Sequence, residues 1–127
     1  MGVDVVTVER VARLATESPD ILATIFTDRE LALCDHGRRI ERLAGRLAAK
    51  EALLKAFGTG LLSDIELADI EIDTSPCGRP VARLYRAAAA RANSQGMVDV
   101  DVSISHTAGL AIAQAIVVYD AAPAPAD

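Results

Sequence analysis

The chain contains little that would staple it together. Of its 127 residues two are cysteine (Cys34 and Cys77), two are histidine, none is tryptophan, and aromatics make up 3%. Two cysteines cannot form a disulfide framework, and without a CxxC pair or a histidine cluster no zinc site is expected, so any metal is expected to be held by oxygen. A core must then be built from Ala, Val, Ile and Leu, which the 51% hydrophobic content supplies. No run of about 18 apolar residues and no secretory pattern is present, so no membrane partner is expected and a reducing cytoplasm is the expected setting. Positive charge is also scarce. Thirteen Lys and Arg against 18 Asp and Glu leave a net charge of −5, the wrong sign for a general nucleic-acid binder. Arg38, Arg39, Arg42 and Arg46 nevertheless form a local basic cluster that suits an anion.

The size fits one domain, expected over residues 1–120, with the Ala/Pro-rich residues 121–127 as a disordered tail. Val3 to Val8 alternates as a strand and puts Asp4 on the same face as Val6 and Val8. Glu9 to Thr16 has a helical pattern. Ser18-Pro19-Asp20 predicts a cap and a first-turn proline for a short helix, and Thr27 with Glu30 predicts a capping box for another running towards His36. A long helix is predicted over Arg39 to Phe57, closed by Gly58-Thr59-Gly60. Ile65 to Asp73 and Pro80 to Leu84 read as strands around the turn Ser75 to Arg79, Tyr85 to Gln95 as a helix, and Leu110 to Tyr119 as a return strand. Along 98–106 the alternation puts Val98, Val100, Val102, Ile104 and His106 on one face. Asp99, Asp101, Ser103 and Ser105 take the other, where the two aspartates are expected to be solvated.

The long helix carries the chemistry. Ala44, Leu47, Ala48, Glu51, Leu54 and Lys55 fall within about 60° of one direction, so an acid and a base lie in an apolar stripe. An exposed i,i+4 pair contributes about 0.2–0.5 kcal/mol, whereas a desolvated one is costly unless further partners are present. The pattern alone leaves two readings open, a structural ion pair or a site for a metal or anion. Asp4 on its apolar parity is either a rim residue or a ligand, and His106 either a satisfied core histidine or a ligand.

Gly2-x-Asp4 with Arg10 six residues after the aspartate, the run GRLAAKEALLKAFGTG over 45–60, and Ser103-Ile104-Ser105-His106 together resemble the holo-acyl-carrier-protein synthases. These are the small single-domain class of 4′-phosphopantetheinyl transferases, and the resemblance spans residues 2 to about 119. It implies an α+β fold with a small antiparallel sheet on a long central helix, assembled as a homotrimer with active sites at subunit boundaries. It further implies transfer of the phosphopantetheine arm of coenzyme A to a serine of an apo acyl carrier protein, releasing 3′,5′-ADP. Asp4 and Glu51 would ligate Mg²⁺, with Mn²⁺ as an alternative, and Lys55 would hold a phosphate oxygen. Glu51 or a held water would take the serine proton. Arg46, His106, Ser105 and Thr107 would serve the 3′-phosphate end, Gly78 and Pro80 the adenine end, and Arg10 and Arg13 the carrier. The helix after the first strand departs from the family's basic pattern through Glu17 and Asp20, which favours a specialised polyketide or peptide-synthesis carrier as an alternative to the fatty-acid one. A coenzyme A or carrier-binding protein without turnover and a purely structural trimer are the other classes.

Overall fold

A computed structural model describes residues 1–58 and 64–120; the expected helix stop at Thr59-Gly60 and the expected tail lie outside the described residues. The elements run β1 (Gly2–Thr7), α1 (Val8–Glu17), a 3₁₀ turn at Pro19–Ile21, α2 (Leu22–Ile25), α3 (Asp28–Cys34) and α4 (Arg39–Phe57). A 3₁₀ turn at Leu67–Asp69, β2 (Ile70–Thr74), β3 (Pro80–Leu84), α5 (Arg86–Gln95), β4 (Met97–Thr107) and β5 (Leu110–Tyr119) follow. One antiparallel sheet has the order β1-β5-β4, and β2-β3 form a separate antiparallel hairpin. The class is α+β, as expected.

Local chemistry sets most of the boundaries. The Thr7 hydroxyl accepts from the Arg10 amide at 3.1 Å, which hands Val8 to the helix and ends β1 one residue earlier than the alternation predicts. The capping box at Thr27 and Glu30 is present, although α3 stops at Cys34 short of His36. Ser18 makes no side-chain cap; its carbonyl accepts from Ile21 instead. The strand predicted from Ile65 starts only at Ile70, because Glu66 to Asp69 close a side-chain capping box around the preceding 3₁₀ turn. A bulge between Met97 and Asp99 resets the alternation in β4, leaving Val98 62% exposed rather than facing the core.

Helix α4 is the axis of the packing. Its Leu43, Leu47, Ala48, Ala49, Ala52 and Leu53 are buried together with Ala111, Ala113 and Ala115 of β5, Val6 of β1 and Ile70 and Ile72 of β2. Alanine on both sides lets helix and sheet approach closely. Gly2 shows how closely: a Cβ there would lie 2.1 Å from the Ala52 carbonyl oxygen and 2.8 Å from the Ala56 nitrogen, both backbone. The opposite face of the sheet is uncovered, with Val3, Val5, Ile116 and Val118 between 44% and 56% exposed.

Candidate active site

Asp4 leaves β1 towards the last turns of α4. Lys55 Nζ donates to Asp4 Oδ1 at 2.8 Å and to the Val3 carbonyl at 3.1 Å. Glu51, one turn earlier, accepts from Arg10 Nη2 of α1 at 3.1 Å. The Asp4 side chain is 12% exposed and that of Glu51 22%, whereas the Lys55 side chain is 57% exposed and points along the rim. The apolar stripe is therefore buried through Ala44, Leu47 and Ala48 and opens at its C-terminal end. Of the two open readings, an ion pair between Glu51 and Lys55 is not what forms: both pair outside the helix, Lys55 with Asp4 and Glu51 with Arg10.

The carboxyls of Asp4 and Glu51 face each other. Burial pushes the Glu51 carboxyl up to about 7, with the Asp4 carboxylate beside it adding to the rise and Arg10 opposing it. Burial also works against Asp4 ionising, but a proton on Glu51 and the Lys55 ammonium outweigh it and hold Asp4 below the ordinary carboxylate range. Asp4 Oδ2 is buried and has no donor unless Glu51 supplies its proton. That orphaned hard oxygen next to a second carboxyl fits a divalent cation of the Mg²⁺ type. Among the described residues no group of three or more His, Cys, Asp or Glu side chains gathers around one point, so the remaining ligands would come from water and substrate.

A second feature lies at the other end of α4. A cavity of about 240 Å³ is lined by Arg42, Gly45 and Arg46 of α4, Ile72 to Thr74, the hairpin residues Gly78 and Pro80, and Ile104 and His106 of β4. Arg46 is braced there, Nε donating to the Ile72 carbonyl at 3.0 Å and Nη2 to the Thr74 hydroxyl at 2.8 Å. His106 Nε2 donates to the Glu41 carbonyl at 2.8 Å. Gly45 makes room for the ring, since a Cβ at that position would lie 2.9 Å from His106 Nε2. Arg46, Gly78, Pro80 and His106 are thus brought together. Ser105 and Thr107 flank His106 on the opposite parity of β4 and do not line the cavity.

The two groups sit on different sides of α4. Arg46 and Glu51 are five positions apart, about 140° of rotation. The intervening Leu47, Ala48, Ala49 and Lys50 are all buried. Arg10 and Arg13 lie on α1 beside a depression of about 220 Å³ that Glu9, Leu14 and Glu17 also line. Arg13 is bound to Glu9 at 3.1 Å.

Sequence reasoning missed Lys50, which is fully buried against Glu30 at 2.6 Å. Its ammonium also donates to the carbonyls of Ile25, Leu67 and Ile70 and lies 5.4 Å from the centre of the Phe26 ring. Glu30, expected only as a cap, in addition accepts from the Ile72 amide. The available signal was a lysine within the Ala/Leu-rich second half of the long helix.

The chain thus carries two separate clusters on α4, the Asp4/Glu51 carboxyl pair with Lys55 and the cavity that holds Arg46 and His106. The family model described as the 4′-phosphopantetheinyl transferase superfamily matches residues 1–113, and the chain belongs to that family. Among curated relatives, the holo-[acyl-carrier-protein] synthase of Alkaliphilus metalliredigens (strain QYMF) is 35% identical over 117 residues, covering 91% of this chain and 95% of the relative. That of Natranaerobius thermophilus is 38% identical over 122 residues, 94% of this chain and 97% of the relative. The crystal structure of Helicobacter pylori holo-[acyl-carrier-protein] synthase in complex with coenzyme A superposes with a TM-score of 0.82 at 29% identity, covering 92% and 98% of the two chains.

Proposed function

We propose that this chain is a holo-[acyl-carrier-protein] synthase that moves 4′-phosphopantetheine from coenzyme A to a serine of an apo acyl carrier protein and releases 3′,5′-ADP. The observation that carries the reading is the half-buried Asp4/Glu51 pair with its orphaned Asp4 oxygen and with Lys55 alongside. Asp4 and Glu51 would hold Mg²⁺, or Mn²⁺, which when bound supplies charge neutralisation on the pyrophosphate. Lys55 offers an ammonium to a phosphate oxygen and so favours charge on the departing ADP. The serine oxygen attacks the β-phosphorus, the bond to the ADP phosphate breaks, and the serine proton passes to Glu51 or to a water it holds. Without a metal, burial lifts the Glu51 carboxyl to about 7; a divalent cation bound there would favour its ionised form.

Arg46 and His106 would take the 3′-phosphate and Pro80 with Gly78 the adenine end, Ser105 and Thr107 adding donors from outside the cavity. The two halves lie on different flanks of a helix that is buried between them, so a site shared between copies is the reading that unites them. The uncovered apolar sheet face supports self-association, proposed as a homotrimer. The cytoplasm is the proposed setting, since Cys34 and Cys77 are both free thiols; no helix among the described residues is long and apolar enough to cross a membrane. Glu17 and Asp20 on the α1 side favour a specialised carrier as the second reading.

Intact-mass spectrometry of an apo carrier incubated with the protein, coenzyme A and Mg²⁺ tests the function. A gain of one phosphopantetheine, about 340 Da and lost with EDTA, is expected. Coenzyme A binding with no mass gain on any of several carriers would instead support a binding protein.

A further inference from the structure

The two carboxylates meet two cations in an unequal way. Lys55 is fixed twice, to Asp4 Oδ1 and to the Val3 carbonyl, so β1 holds it in place whichever way Asp4 is engaged. Arg10 is fixed once: its guanidinium donates to Glu51 and has no second protein acceptor among the hydrogen bonds of the described residues. The Arg10 side chain is 52% exposed and lies at the edge of the α1 depression, next to Arg13. With Arg10 and Lys55 in place, each of the two carboxyls already has a cationic partner. A divalent cation arriving there meets two positive charges and competes with Arg10 for Glu51 Oε1.

We propose that Arg10 is a latch on Glu51 that must swing onto the outer surface of α1 before a divalent cation binds tightly, and that an anionic group on the docking carrier protein captures it there. The inference rests on the metal-assisted transfer reading above. Release of Arg10 uncovers the second carboxylate for the cation and at the same stroke presents a free guanidinium to the acceptor. Cation and carrier therefore strengthen each other through one side chain, and by linkage the factor is the same in both directions. Arg13, held by Glu9 on the same helix, carries the same charge without touching either carboxylate, so it separates a latch from a general surface-charge effect.

The test is Mn²⁺ binding to the full chain, read from the electron paramagnetic resonance signal of free Mn²⁺, with and without an apo acyl carrier protein and in the absence of coenzyme A. Arg10→Gln is expected to tighten Mn²⁺ by about two- to five-fold without carrier, the scale of a part-exposed ion pair. Adding carrier is expected to tighten Mn²⁺ several-fold in the unaltered protein and not in Arg10→Gln, while Arg13→Gln leaves Mn²⁺ affinity without carrier unchanged. An unchanged or weaker Mn²⁺ affinity in Arg10→Gln overturns the latch, as does equal tightening in Arg13→Gln. Circular dichroism of both variants establishes that the fold is retained. If the unaltered protein binds no Mn²⁺ even when coenzyme A is then added, the metal-assisted reading itself falls, and the latch with it.

Discussion

Replacing Lys50 by methionine removes an ammonium that the fold has enclosed completely. Both partners of the Lys50–Glu30 pair are 0% exposed, so the Glu30 carboxylate would be left buried with the Thr27 and Ile72 amides as its remaining donors, each at 2.9 Å. The carbonyls of Ile25, Leu67 and Ile70 would lose a donor in the same step. Breaking a buried pair on one side costs about 3–5 kcal/mol, a large part of the roughly 5–15 kcal/mol that stabilises a domain. At about 3–4 °C per kcal/mol for a chain of this length, the melting temperature of Lys50→Met should fall by roughly 10–20 °C. Thermal and urea unfolding followed by circular dichroism measure the loss. The double variant Glu30→Gln/Lys50→Met should be less damaged than the sum of its single changes, because it removes the stranded charge. A Lys50→Met protein within about 1 kcal/mol of the unaltered one, or a double variant worse than additive, would refute the assignment of this pair as the clasp between α2, α3, α4 and β2.

Three further outcomes follow from the site. Gly45→Ala adds a methyl group 2.9 Å from His106 Nε2 and 3.0 Å from Ile104 Cγ2; the gain in helix propensity of about 1 kcal/mol partly offsets an overpacking cost of about 1–3 kcal/mol, so the fold should survive with His106 displaced. Steady-state kinetics should show KM for coenzyme A rising more than kcat falls. For pH, a Glu51 carboxyl raised from 4.5 to about 7 means the folded protein binds the extra proton, so metal-free stability should decline as pH rises through that window. Mn²⁺ affinity should move the opposite way and increase from pH 6 to 8, about the Glu51 value, and Glu51→Gln should lose both trends and nearly all transfer. Finally, the α1 side carries Arg10 and Arg13 against Glu9, Glu17 and Asp20, so kcat/KM for an acidic carrier should fall less than about three-fold between low and physiological salt.

The elements that the sequence makes legible are those whose ends are set by neighbouring residues. Helix α4 runs from Arg39 to Phe57 as periodicity predicts, because Gly58 takes the left-handed conformation that ends it. Strand β3 and strand β5 also match their predicted bounds, flanked by a proline turn and by Ala108-Gly109. Contacts distant in sequence were not legible. Nothing local indicates that Lys50 meets Glu30 20 residues away, or that Arg10 reaches Glu51 across 41 residues. Periodicity reports which direction along a helix is apolar, and it says little where a helix is covered on both sides: β1 closes on Ala52 through Gly2, while α2, α3 and β2 take Lys50. The stripe holding Glu51 and Lys55 runs from core to rim, so Lys55 is exposed at its end although Phe57 in the same turn is buried. The bulge at Met97, a backbone event without a glycine of its own, likewise reversed Val98.

The separation of the two half-sites has a consequence that mixing can measure. Along the sheet, His106 pairs with Ala111, which pairs with Val6, so β1 and β4 stand about 9–10 Å apart with β5 between them, and α4 lies over that gap. Asp4 and His106 thus emerge on either side of α4, and Leu47 to Lys50 close the path between them. If each site takes Asp4, Glu51 and Lys55 from one copy and Arg46 and His106 from the next, Glu51→Gln and Arg46→Ala are defects in different halves. Each variant alone should be nearly inactive. After unfolding and refolding an equal mixture, random assembly puts an intact carboxylate half against an intact cavity half in about a quarter of the sites. Recovered transfer near that fraction, with light scattering reporting three subunits, is the expected result. Activity that stays at the level of the separate variants would mean that both halves serve one substrate within a single chain, and the uncovered sheet face would then need another explanation.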